Sequence, residues 1–284
     1  MGSPCQIRLR APSLSHAQAL CAPLIQEALR FEAKYSRYLP TSLVSHINNS
    51  AGATQILDAE AAAIVDYAAQ LYQQSEGLFD ITSGLLRQAW DFSSAQVPSQ
   101  HRIQALLPHI GWLHVSWQNP QLCLPAGMQI DLGGIVKEYA ADALAQCAQA
   151  QGINSGLIEL GGDIRVFGES TWPIGISDPQ QPGRPLLQLK LQAGGFATSG
   201  NYQRYFIYQG KRYSHILNPK TGWPVVTPAG VSVIADNCLI AGSVSTLALL
   251  MGEEQCLDWL YDVGLPFLCV FNDGRVVNEF SQTG

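Results

Sequence analysis

Apolar side chains recur at helical spacing through HAQALCAPLIQEALRFEAKY (16–35), with Ser13 and Ser15 just before it as candidate N-caps. The same period returns in LDAEAAAIVDYAAQLYQQS (57–75), and shorter helical patterns follow at 83–90 and, more weakly, at 100–109. Residues 111–117 and 121–124 read as strands on either side of an Asn119-Pro120 turn. Residues 128–130 read as a further strand leading into a helix at about 135–151.

The chain then becomes β-rich. Short runs bounded mostly by Gly, Pro or Asn occupy 156–160, 164–168, 172–176, 186–191, 204–208 and 213–217. A strand over 231–235 ends at Asp236, a candidate N-cap for an apolar helix over 239–251. A helix at 253–262 and strands at 267–271 and 275–278 close the chain. Clustered strands with helices on one side predict an α+β fold of mostly antiparallel sheets with flanking helices, not a doubly wound parallel sheet. No repeat or long linker interrupts the pattern, so residues 1–284 are expected to form a single domain or two intimate lobes. The segment DPQQPGRP (178–185) reads as a surface loop.

Hydrophobic residues make up 47% and charged residues 13% of the chain, which fits a globular protein and not a disordered one. A net charge of −6, with no run of Lys or Arg, argues against nucleic acid as a partner. No apolar run reaches the ~18 residues of a membrane span. The cysteines (Cys5, Cys21, Cys123, Cys147, Cys238, Cys256, Cys269) are odd in number and scattered, which suits reduced thiols better than disulfides or zinc. No signal-peptide pattern opens the chain, so a cytoplasmic location is expected, or a periplasmic one if an export segment has been trimmed.

Several short motifs carry chemistry. In DLGGIVKEYAAD (131–142), Asp131, the Gly133-Gly134 pair and Lys137 describe either an anion cradle at a helix start or an ordinary strand–helix turn. In ELGGD (159–163), the Gly161-Gly162 pair marks either a β-bulge or a place where a ligand approaches the backbone. Asp80 and Thr82 of EGLFDIT (76–82) form a local cap for the helix that follows, and Tyr38 of SRYLPTS (36–42) is a flat aromatic suited to stacking. His215 of SHILNPKTG (214–222) is placed on a strand before a tight turn, and its side-chain type suits a general base near neutral pH. ATSGNYQRYF (197–206) and AGSVST (241–246) complete the series, with Arg204 a weak candidate for neutralising phosphate.

The order and spacing of these motifs resemble the ApbE family, the FAD:protein FMN transferases, over nearly the whole chain. The resemblance implies an ApbE-like, T-fold-like architecture. It implies FAD contacts from Met1, Tyr38, Phe79, Asp80, Asp131, Lys137, Gly161, Gly162, Ser199 and Ile216, with His215 as the base. It also implies Mg²⁺ held near the Gly134 carbonyl, Ser245 and Thr246, and a protein acceptor with a Thr or Ser attachment site. Three positions depart from the family pattern, one of them Asn218, where the family often has Asp. Gly242 stands where the family has a metal-binding Asp, and Glu138 follows Lys137 where a small residue is usual. Glu138 is expected to point to solvent, and an Asp introduced at 242 is expected to tighten Mg²⁺. The missing acid leaves a second reading open: an FAD-binding carrier or sensor, or an FAD hydrolase, with an impaired metal site.

Overall fold

The computed structural model describes residues 3–181 and 183–280; Met1 lies outside them. The first strand, β1 (Cys5–Leu9), leads into α1 (Leu14–Tyr35), which starts where the Ser13 hydroxyl accepts from the His16 amide. A short helix the sequence pattern did not predict, α2 (Leu43–Asn48), is capped by Ser42. Next come the two-residue β2 (Gln55–Ile56) and α3 (Ala59–Gln74), capped by Asp58. Residues 81–88 form a 3₁₀ helix, followed by α4 (Gln100–Leu106), β3 (Ser116–Gln118), β4 (Gln121–Cys123) and α5 (Val136–Ala150). The β-rich half holds β5 (Ser155–Leu160), β6 (Asp163–Gly168), β7 (Trp172–Ser177), β8 (Pro185–Leu191), β9 (Gly194–Gly200), β10 (Tyr205–Tyr208), β11 (Lys211–Ser214) and β12 (Gly230–Ala235). It ends with α6 (Cys238–Met251), α7 (Cys256–Val263), β13 (Phe267–Val270) and β14 (Val276–Asn278).

The main sheet has seven strands in the order β1-β5-β6-β9-β12-β13-β14, and every neighbouring pair is antiparallel. Three small antiparallel sheets accompany it. The fold is therefore α+β, as the pattern predicts. Alternate strand residues enter different cores. Ala197, Val231, Val233, Phe267 and Cys269 pack with Val244 and Leu249 of α6. Phe196, Leu268 and Val270 pack on the opposite face with Trp172, Ile174 and Ile176 of the β7–β8 hairpin. Because both faces are covered, β5, β12 and β13 are apolar almost throughout. Among the described residues no helix is long and apolar enough to cross a membrane.

Several boundaries differ from the pattern, two of them because a long-range hydrogen bond takes the backbone. The expected strand at 111–117 is a 3₁₀ turn over Trp112–His114, and only Ser116–Gln118 pair as strand. Here the Gly111 amide donates to Thr82 Oγ1 (2.8 Å) and the Trp112 amide to Asp80 Oδ2 (3.1 Å), leaving neither for a ladder. Residues 128–130 form no strand. The Asn48 side chain brackets Ile130 instead, accepting from its amide at 2.7 Å and donating to its carbonyl at 3.0 Å. The strand expected over 213–217 ends at Ser214, so His215 lies just beyond it. The cap of α6 is Asn237, whose Oδ1 accepts from the Ile240 amide at 2.8 Å, and not Asp236.

Candidate functional site

The site forms where α5, the β5–β6 turn, β9 and α6 meet. Leu160 pairs with Asp163, so Gly161-Gly162 are the two central residues of a hairpin turn and not a bulge. Both have positive φ, +65° and +94°, as a type I′ turn requires. Gly161 also lies against Lys137: a Cβ built there would be 3.5 Å from Lys137 Cδ. The Lys137 ammonium donates to Asp163 Oδ2 and, at 3.3 Å, to Glu138 Oε1. Burial pulls this ammonium towards neutrality, but the two carboxylates outweigh it and hold Lys137 charged well above the ordinary lysine range. Burial pushes the Asp163 carboxyl up to about 7, although Lys137 opposes the shift.

Glu138 does not point to solvent. It is 5% exposed and packs across the helix interface against Gly242. This corrects the expectation that Glu138 faces solvent, and an Asp added at 242 would have to displace the Glu138 side chain. Further along α5, Asp142 accepts from the Cys238 and Leu239 amides, both at 2.9 Å, and so caps the start of α6 from another helix.

The hydroxyls of β9 and α6 form a connected set. Ser199 Oγ lies 3.0 Å from Ser245 Oγ and 2.8 Å from Thr246 Oγ1. Ser245 is fully buried and also donates to the Gly242 carbonyl at 3.0 Å, whereas Thr246 is half-buried. Ser243 turns the other way, accepting from Tyr67 Oη at 2.9 Å. Gly134 sits in the exposed turn before α5, within van der Waals reach of the Phe79 ring. The Asp80 side chain is committed to Thr82 and the Trp112 amide, which leaves its backbone, not its carboxylate, for a ligand. Asp131 accepts from Arg37 Nη1 at 2.9 Å and from the Gly133 amide, and lies 3.5 Å from Arg87 Nε. Neither arginine was singled out from the sequence. Tyr38 is 71% exposed, as a stacking platform needs to be.

His215 is half-buried beyond β11. Its amide and its Nδ1 both approach the Arg204 carbonyl, at 3.0 and 3.1 Å. A carbonyl only accepts, so Nδ1 carries the proton and Nε2 keeps its lone pair. Burial, reinforced by the charges of Arg87, Arg204 and Lys137, lowers its pKa to about 4, although the Arg204 carbonyl opposes the shift. The ring is neutral at pH 7. Arg204 is thus a support for the histidine. Asn218 caps the turn after it, accepting from the Lys220 and Thr221 amides at 2.9 and 3.2 Å. Ile216 bridges two hydrophobic cores and accepts from the Val225 amide at 2.9 Å.

The model of the ApbE family matches residues 1–268. The chain belongs to the ApbE family. Among the relatives of this ApbE protein, the FAD:protein FMN transferase of Klebsiella pneumoniae is 31% identical, with 90% of this chain and 81% of that protein covered. The Vibrio cholerae FAD:protein FMN transferase is 28% identical, covering 100% of this chain and 89% of its own length. The crystal structure of the ApbE protein from Thermotoga maritima superposes with a TM-score of 0.91 at 29% identity, covering 99% and 94% of the two chains. The flavin transferase ApbE from Vibrio cholerae gives 0.85 at 26%, covering 99% and 95%.

The residues of this ApbE protein suit a hard cation. The oxygen atoms on offer are the hydroxyls of Ser199, Ser245 and Thr246 and the carboxyl of Glu138, whose buried Oε2 has no hydrogen-bond partner. Among the described residues no group of three or more His, Cys, Asp or Glu is arranged as a self-sufficient metal site, so a cation here needs oxygens from its substrate as well.

Proposed function

We propose that this protein cleaves FAD between its two phosphates and transfers FMN to a Thr or Ser hydroxyl of an acceptor flavoprotein subunit, releasing AMP with the help of Mg²⁺. As a member of the ApbE family the chain is an enzyme of the transferase class. The observation that carries the finer reading is His215, a neutral ring fixed through Nδ1 with Nε2 free. Nε2 takes the proton of the acceptor hydroxyl as its oxygen attacks the FMN phosphorus. The bond from that phosphorus to the bridging oxygen breaks, and the bridging oxygen departs with AMP.

Such a displacement needs positioning and charge neutralisation more than covalent participation by the protein. The type I′ turn brings backbone close to the nucleotide, and Tyr38 offers a face for a ring. Lys137 stays protonated across the physiological range, although its charge is largely spent on Asp163 and Glu138. Ser245, Thr246, the Gly134 carbonyl and a carboxylate would hold Mg²⁺, which would supply the remaining positive charge when bound.

The test combines the protein, FAD, Mg²⁺ and a Thr-containing acceptor domain. Flavin fluorescence that stays on the acceptor through denaturation, with matching AMP, is the expected result. Intact bound FAD across several acceptors would establish a carrier instead, and free FMN with AMP but no labelled acceptor would establish a hydrolase. His215→Ala should lose transfer while still binding FAD; full activity in that variant would remove His215 from the mechanism.

A further inference from the structure

Gly242 is glycine because of its neighbour. A Cβ built at this position would lie 2.6 Å from Glu138 Cγ and 3.1 Å from Glu138 Oε1. Any larger residue at 242 must displace the Glu138 side chain, so the two positions form one unit. The register is held one turn away. Residues 138 and 142 share a face of α5, and Asp142 grips the Cys238 and Leu239 amides one turn before Gly242 on α6. The helices therefore run past one another with Glu138 fixed over the gap.

The Glu138 carboxylate is only half used. Oε1 receives a long hydrogen bond from Lys137, whose closer partner is Asp163, and Oε2 is buried with no partner. Two carboxylates thus share one ammonium, and an oxygen faces a buried space without a donor. A buried carboxyl oxygen with no partner calls for a cation or a proton donor. The next turn of α6 carries the hydroxyls of Ser245 and Thr246, joined through Ser199, so α6 offers oxygen ligands. That chemistry selects a hard divalent ion.

We infer that Glu138 supplies the carboxylate of the divalent-cation site, reaching from α5 into the space that Gly242 leaves on α6. The inference rests on the Mg²⁺-assisted reading above. It makes Glu138 and Gly242 a reciprocal pair, with the acid moved from one helix to the other.

The probe is Mn²⁺ titrated into the full chain in the presence of FAD, with free Mn²⁺ followed by electron paramagnetic resonance and folding followed by thermal melting. Glu138→Gln keeps the shape and removes the charge. It should weaken Mn²⁺ by about tenfold or more, the scale on which even supporting groups act, while metal-free FAD binding holds. Gly242→Asp alone should lower the melting temperature and leave Mn²⁺ no tighter. The double variant E138G/G242D should recover both the melting temperature and the Mn²⁺ affinity lost in Glu138→Gln. Unchanged Mn²⁺ affinity in Glu138→Gln would overturn the inference, as would a Gly242→Asp protein that melts normally and binds Mn²⁺ more tightly. If the wild type transfers FMN while Glu138→Gln binds Mn²⁺ normally, only the placement of the carboxylate fails. If the wild type binds Mn²⁺ through Glu138 but labels no acceptor, only the transferase reading fails.

Discussion

His215 differs from an exposed histidine through its surroundings. Burial removes water from the imidazolium, and three nearby cations oppose a fourth charge. In the proposed reaction the neutral ring is the base, so protonation would abolish transfer and the sign of the pH effect is fixed. For kcat/KM, which reports the free enzyme, we expect activity to persist through pH 6 and to fall as pH drops through about 4. A profile that breaks near the ordinary value of 6.5 would show that His215 titrates as an exposed group. Stability follows the same linkage. The unfolded chain takes up this proton first, so the contribution of a neutral His215 is complete above about 6.5 and is lost as pH falls towards 4.

At the scale of elements, the site depends on how α5 meets α6. Helix α6 is apolar on nearly every face and cannot choose its rotation from amphipathicity alone. Polar contacts from other elements choose it: Asp142 receives the Cys238 and Leu239 amides, Ser199 bonds Ser245 and Thr246, and Tyr67 bonds Ser243. Asp142→Ala leaves these amides unpaired in a half-buried place and frees Arg165, which lies 3.4 Å from Asp142 Oδ1. The expected loss is about 2–3 kcal/mol by chemical denaturation, with Mn²⁺ binding weakened because Glu138 and Thr246 no longer share a register. A stability change under ~0.5 kcal/mol would mean that packing alone fixes α6.

At the scale of the whole molecule, His215, the proposed base, is not carried by the main sheet. It stands at the end of the β10–β11 hairpin, beside a satellite core of Trp90, Phe206 and Tyr213. Trp90 lies edge-on to Trp223, and its Nε1 donates to the Gly222 carbonyl at 2.8 Å, tying the turn after His215 to the 3₁₀ segment over 81–88. Trp90→Ala should cost about 3–5 kcal/mol and slow FMN transfer more than it weakens FAD binding, because most of the proposed nucleotide contacts, such as Tyr38, Lys137 and Gly161-Gly162, lie on other elements. Equal loss of both, measured by single-turnover labelling and FAD titration, would mean that the satellite core supports the entire site.

The sequence by itself determined the order and type of most elements, because amphipathic period and turn residues act over a few neighbours. It determined α1 with Ser13 among its candidate caps, the β-rich second half, and the family through motif order, whereas the Gly161-Gly162 pair, legible as a bulge or a close approach, became a hairpin turn only in the fold. Tertiary structure decided what depends on partners far along the chain. Asn48 replaced a strand at Ile130, and Asp80 and Thr82 drew residues 111–112 out of a ladder. The direction of Glu138 was settled in the same way. Read alone, a Glu on an amphipathic helix faces water; only the packing of α5 on α6, 104 positions away at Gly242, turns it inward. A missing carboxylate and a misplaced one are indistinguishable in a linear chain, because contact across a helix interface is a property of distance in space.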